Sequence, residues 1–194
     1  MTSDIPQLTA KHGRVLLDLA RATLNDHFGR TGAAAKAMAL AATAPELQAH
    51  CGIFVSLKTG GRLRGCIGSL VGRAPLAEGV RTQALNAAFH DPRFESLSAE
   101  ELDRVNIEIS VLSPPQPLAF SDSADLLKKL RPHVDGVTIH HGHASATFLP
   151  QVWDQLPRAQ DFLSQLCLKA GLAADAWRKG GITVEIYQVQ YFEE

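Results

Sequence analysis

Two short apolar runs joined by a pair of glycines constrain this chain more than any other feature. Gly52 to Lys58 alternates, with Ile53, Val55 and Leu57 on one face, and Leu63 to Ile67 follows after Gly60-Gly61. Paired glycines between alternating runs mark a tight hairpin, because their backbones reach the positive φ values that such a turn needs. Adjacent strands joined this way are antiparallel, so a purely parallel, doubly wound sheet is excluded. Val105 to Leu112 alternates as strictly, with Asn106, Glu108 and Ser110 on its polar face. It reads as a half-buried strand of the same kind.

Helical periodicity surrounds these strands. Leu8 to His27 carries apolar residues at helical spacing, and Thr9 is placed to cap it. Residues 33 to 44 are rich in alanine and end at Pro45. Pro75 suits the first turn of a helix from Leu76 to His90. Ser98 with Glu101 has capping-box spacing for a short helix. Ser113-Pro114-Pro115-Gln116-Pro117 cannot continue a sheet interior and is the best boundary in the chain. Beyond it are expected a helix near Ser123 to Leu130, a hairpin from Val137 to Phe148, a helix near Ala159 to Ala170, and a last strand from Ile182 to Phe192. Gly180-Gly181 marks a second break. Helices and strands mixed without a β-α-β rhythm predict an α+β fold with antiparallel sheets. The two breaks predict a larger lobe of about residues 1–116 plus 179–194, and a smaller inserted lobe of about 117–178.

Composition narrows the partners. The 194 residues carry 19 Lys and Arg against 20 Asp and Glu, a formal net charge of -1. A protein that grips phosphate backbones ordinarily shows a basic excess, so nucleic acid has no electrostatic support. Cys51, Cys66 and Cys167 lie far apart without zinc-ligand spacing, as expected of reduced thiols in a cytoplasm. Met1 to Lys11 lacks signal-peptide character, and no apolar run is long enough to span a membrane. Neither a cofactor nor a metal is expected. His140-His141-Gly142-His143 falls at an expected hairpin tip with no cysteine or carboxylate expected beside it, and reads as exposed turn.

The chemistry concentrates in Arg62-Leu63-Arg64-Gly65-Cys66-Ile67-Gly68. On a strand side chains alternate, so Arg62, Arg64 and Cys66 are expected to share one face, with Leu63 and Ile67 packed into the other. Positive charge favours the thiolate, so Cys66 is the candidate nucleophile and Arg64 the group that holds it or an anionic substrate. Gly65 and Gly68 allow close approach by a ligand or another backbone. Asp91 and Arg93 either brace a turn or reach a substrate. His90 is a possible base to Cys66, and Glu108 a possible acid/base group or partner of Arg64. Cys51 and Cys167 read as small buried side chains, and Lys169 as either facing the cleft between the lobes or solvating a helix end near Gly171.

Leu63-Arg-Gly-Cys-Ile-Gly68 resembles the hallmark hexapeptide of the AmmeMemoRadiSam system protein A family, the AMME-syndrome candidate-region domain. Asn86 to Phe94, Ile107 to Leu112, Ala146 to Val152 and Leu166 to Leu172 resemble further blocks in the family's order. The resemblance implies a two-lobed α+β domain, with about five antiparallel strands in the larger lobe and a short sheet in the smaller. It also implies that the hexapeptide's side chains point into a cleft between the lobes, which we expect to take a protein, peptide or other sizeable substrate. A modification pathway shared with a Memo-like protein and a radical SAM enzyme is implied, with no assigned step. Whether Cys66 and Glu108 act catalytically, with Arg64, Gly65, Gly68, Asp91 and Arg93 binding substrate, or the chain is a non-catalytic adaptor, stays open at this level.

Overall fold

The computed structural model describes residues 7–30 and 32–194. Residues 1–6, which carry half of the signal-peptide reading, lie outside them. The chain divides into two compact units, one reaching Pro114 and resuming at Gln190–Glu194, the other Pro115–Val189.

The first unit sets two long helices on one face of a four-stranded sheet. Helix α1 (Ala10–His27) begins at Thr9, whose hydroxyl accepts from the His12 backbone N–H while the His12 ring accepts from that of Thr9. This reciprocal cap satisfies two of the orphan donors of the first turn. A short helix α2 (Ala34–Ala42) follows. Strands β1 (Gly52–Thr59) and β2 (Arg62–Ser69) form the expected hairpin, helix α3 (Leu76–Phe89) comes next, and β3 (Val105–Leu112) pairs antiparallel with β1. The capping-box pair Ser98 and Glu101 is formed, but it opens only a 3-10 turn at Leu102–Arg104.

Ile53, Val55 and Leu57 of β1 and Ile107, Ile109 and Val111 of β3 point to the helices. They meet Leu16 and Leu19 of α1 and Leu76, Val80 and Ala84 of α3 in one core. Burying side chains of this size contributes roughly 1.5–3 kcal/mol each, so this face anchors the unit. The alternate residues Phe54, Ser56 and Lys58 of β1, with Asn106, Glu108 and Ser110 of β3, occupy the face turned away from that core.

The second unit has its own sheet and core. Edge strand β4 (Gln116–Pro117) carries its proline where no inner ladder is interrupted. Helix α4 (Ser123–Lys129), capped by Asp122, leads to the hairpin of β5 (Gly136–His141) and β6 (Ala144–Phe148). Helix α5 (Ala159–Lys169) and a single turn, α6 (Ala176–Lys179), precede β7 (Thr183–Tyr187), which pairs with β5 and β4. Trp153 and Phe162 stack at 3.7 Å in the middle of this core.

The α+β class and antiparallel sheets agree with the sequence reading, with two departures. Among the described residues each sheet has four strands, ordered β2-β1-β3-β8 and β4-β7-β5-β6, where the resemblance implied about five for the first. The run Ile182–Phe192 is not one strand. It splits at Gln188 into β7, in the second sheet, and β8 (Val189–Glu193), beside β3 in the first. The return to the first unit therefore falls after Val189, not near residue 179. The alternation changes phase at Ile186-Tyr187, after which Tyr187, Val189 and Tyr191 take the apolar positions and Gln188 and Gln190 the polar ones, so the break is written in the sequence although the change of sheet is not. Gln188 marks it structurally, since its side-chain amide donates to the buried carboxylate of Asp135.

Candidate functional site around Cys66

The position of Cys66 follows from an irregularity in the hairpin. Ser56 faces Cys66 and Leu57 faces Gly65, but Lys58 faces Leu63, which leaves Arg64 as an extra residue in a β-bulge. A bulge shifts the alternation of everything beyond it. Arg62, opposite Thr59, therefore falls on the other face from Cys66, and Leu63 joins the face of Lys58, Ser56 and Cys66. Leu63 is 43% exposed, not packed inward as uninterrupted alternation predicts.

Arg64 does not reach the thiol. Its guanidinium grips Glu101 with two bonds, Nε at 2.8 Å and Nη2 at 3.1 Å, and donates to the carbonyls of Glu95 and Ser96. The geometry is bidentate, and it pulls the Glu101 carboxyl down to about 2. The expected pairing of Arg64 with Glu108 is likewise absent; Glu108 pairs with Lys58 at 2.6 Å. Bulging turns Arg64 toward the 95–101 segment, which explains both departures.

Asp91 and Arg93 do come to Cys66, but to its backbone. The Cys66 N–H donates to Asp91 Oδ2 at 2.8 Å, and Arg93 Nη2 donates to the Cys66 carbonyl at 3.3 Å. Asp91 and Arg93 also pair with each other, at 2.7 and 3.0 Å. Strand β2 is a sheet edge, and this pair satisfies peptide groups that an edge leaves open. The Arg93 bonds, followed by those from the backbone N–H groups of Cys66 and Arg93, hold the nearly buried Asp91 carboxyl far below its ordinary range.

Both glycines of the hexapeptide admit protein, not ligand. A Cβ at Gly65 would sit 2.1 Å from the Ala87 carbonyl, so glycine lets α3 lie against β2. At Gly68 it would strike the Ile53 carbonyl and the Phe54 ring at 2.2 and 2.4 Å.

What surrounds the sulfur is a row across the sheet. Ser56 Oγ donates to Cys66 Sγ at 3.2 Å, and Glu108 lies opposite Ser56 on β3. Ser56 is buried, Glu108 is 13% exposed at its side chain, and Cys66 is half-buried. The Lys58–Glu108 pair adds an ammonium on the neighbouring strand and a carboxylate on the strand beyond it. The arrangement can present a soft nucleophile beside a polar strip. Sequence reading missed Ser56 and Lys58, although both stand at the polar positions of β1, where alternation makes them visible.

The other candidates lie apart from the row. His90 hydrogen-bonds its own helix at Asn86 Oδ1 (3.2 Å). Cys51 and Cys167 are buried, which pushes both thiols up. Lys169 donates to the Thr147 carbonyl and lies over the Phe148 ring, and burial pulls its ammonium down. His140 does have a carboxylate beside it, Glu185 of β7 at 3.1 Å, which sequence proximity could not show. Among the described residues, no cluster of three or more His, Cys, Asp and Glu side chains is arranged to hold a metal. No helix among them is long and apolar enough to cross a membrane.

Known proteins resemble this chain over nearly its whole length. The family model described as AMMECR1 matches residues 17–192. A protein of Methanothermobacter thermautotrophicus is 36% identical over 193 residues, covering 96% of each chain. One from Thermofilum pendens is also 36% identical, covering 97% of this chain and 92% of its own. Among solved structures, the uncharacterized protein PH0010 from Pyrococcus horikoshii matches with a TM-score of 0.82 at 30% identity, over 96% of this chain and 93% of that one.

Proposed function

The chain belongs to the AMMECR1 family, and from that premise we propose that it serves a modification pathway in the cytoplasm together with Memo-like and radical SAM partners. In this reading the outer face of the first sheet receives a protein or peptide substrate, and Cys66 is its contact or reacting centre. The observation that carries it is the Ser56 hydroxyl donating to the Cys66 sulfur, in one row with Glu108 and beside Lys58. A thiol hydrogen-bonded in this way and half open to solvent is better placed for chemistry than the two buried cysteines. Arg93, 55% exposed at its side chain, adds positive charge at the Cys66 peptide.

A second reading has its own support. Arg64, Glu101, Asp91 and Arg93 all spend their bonds fixing the hexapeptide and its flanking segment. So rigid a surface also suits a non-catalytic adaptor that docks a partner while chemistry happens elsewhere.

Cys66→Ser and Cys66→Ala separate the two. Each variant is assayed for capture of the Memo-like and radical SAM proteins and for output of the pathway. Loss of output with capture retained in both variants supports the reacting centre. Full output from both removes it and leaves the adaptor. A mass-tagged substrate or small-molecule adduct on Cys66 of the purified protein would identify what the thiol meets.

A further inference from the structure

A recess opens in the first unit on the helix side of the sheet, away from the Cys66 row, and encloses about 220 Å³. Cys51 and Ile53 at the start of β1 form its floor, Gly79, Thr82 and Gln83 of α3 one wall, and the loop carrying Arg73 its rim. At the start of that loop, Ser69 Oγ both donates to the Val71 carbonyl and accepts from the Val71 N–H.

Three features give the recess a chemistry. Gly79 sits inside a 14-residue helix, where glycine costs helix stability. Its φ is not positive, and a Cβ there would meet only Ile53 Cγ2, at 3.4 Å, an ordinary contact. Neither backbone nor packing demands glycine, and what its bare backbone accomplishes is to keep the recess open. Arg73, second, has no ion-pair or hydrogen-bond partner among the described residues, unlike Arg64, Arg93 and Arg131. Third, no Asp or Glu lines the recess, while Thr82 and the Gln83 amide stand on its wall. The Gln83 carboxamide oxygen accepts from Asn86 Nδ2 at 3.1 Å, leaving the NH₂ as the donor half of that side chain.

We propose that this recess binds a small aliphatic carboxylate, its tail against Ile53 and Cys51 past Gly79 and its carboxylate at the rim on the Arg73 guanidinium. A guanidinium meets a carboxylate with two parallel hydrogen bonds, and the Thr82 and Gln83 donors suit the remaining lone pairs. Size limits the occupant. Sites for drug-sized ligands run to roughly 300–1,000 Å³, whereas a cavity of about 150 Å³ accepts benzene, so a chain of about six to eight heavy atoms is the match. An amine of the same length would bring its cation against Arg73 with no carboxylate to receive it.

Hexanoate is the probe, titrated into the full-length protein and followed by backbone amide NMR, with hexanamide and hexylamine as controls. Expected are saturable shifts at Ile53, Gly79 and Thr82 at millimolar hexanoate. Hexanamide should bind about tenfold or more weakly, the loss of one charge-assisted contact, and hexylamine not at all. Arg73→Gln, an exposed change that leaves the core intact, should weaken hexanoate by the same factor. Gly79→Leu, which fills the recess, should abolish the shifts. The proposal is overturned if millimolar hexanoate leaves these amides unmoved, or if Arg73→Gln binds as tightly as the natural protein. Hexanamide or hexylamine binding as well as hexanoate would overturn it too, as would undiminished binding by a folded Gly79→Leu protein.

Discussion

Asp91 shows how one side chain can decide a neighbourhood. Its carboxylate takes the edge N–H of Cys66, the backbone N–H of Arg93 and two guanidinium bonds, so removing it orphans several donors at once. Asp91→Ala should cost roughly 2–3 kcal/mol, read from the urea midpoint at constant slope; the exposure of Arg93 keeps the figure below that for a fully buried pair. Glu101 makes a pH prediction. Its folded pKa, about 2, lies below its ordinary value of 4.5, so its pairing with Arg64 stabilises the protein fully above the unfolded value. That contribution drains away as pH falls from about 5 toward 2. Glu101→Gln should flatten the stability profile in that window and leave its shape near neutrality unchanged. At the site itself, Ser56→Ala removes the hydroxyl that donates to the sulfur. Alkylation of Cys66, followed by mass spectrometry of the modified peptide, should slow about fivefold, equivalent to roughly 1 kcal/mol of hydrogen bonding.

Among the elements, the β1–β2 hairpin and α3 carry most of the consequence. The hairpin was legible from Gly60-Gly61 and its flanking alternation, and its bulge was not. A bulge is set by the pairing of two strands and by what draws its extra residue aside, here the Glu101 carboxylate and the carbonyls of Glu95 and Ser96. None of these is near Arg64 in sequence, so alternation assigned Arg62 and Leu63 to the wrong faces. Two glycines, Gly65 of β2 packed against α3 and Gly79 within α3, respond oppositely to the same change. Gly65→Ala forces a methyl onto the Ala87 carbonyl and should destabilise by about 1–3 kcal/mol through overpacking. Gly79→Ala has room and should stabilise α3 by about 0.5–1 kcal/mol, seen as a higher Tm.

Over the whole molecule, the chain leaves the first unit once and comes back to complete its sheet. Glu194, beside β3 through its own N–H to the Ile107 carbonyl, accepts from the Ile107 N–H and pairs with Arg21 of α1. Arg21 in turn donates to the carbonyls of Leu102 and Val105. Residues far apart in sequence thus close the first unit. Family, α+β class and most helices and strands were legible in the sequence, because periodicity, caps and turn residues are local and act within a few positions. The tertiary structure decided what faces Cys66. Which cation meets which carboxylate, that Arg64 is drawn off its strand, that Ser56 donates to the sulfur and that Ile182–Phe192 serves two sheets all depend on pairings between distant segments. Local pattern carries no term for such pairings.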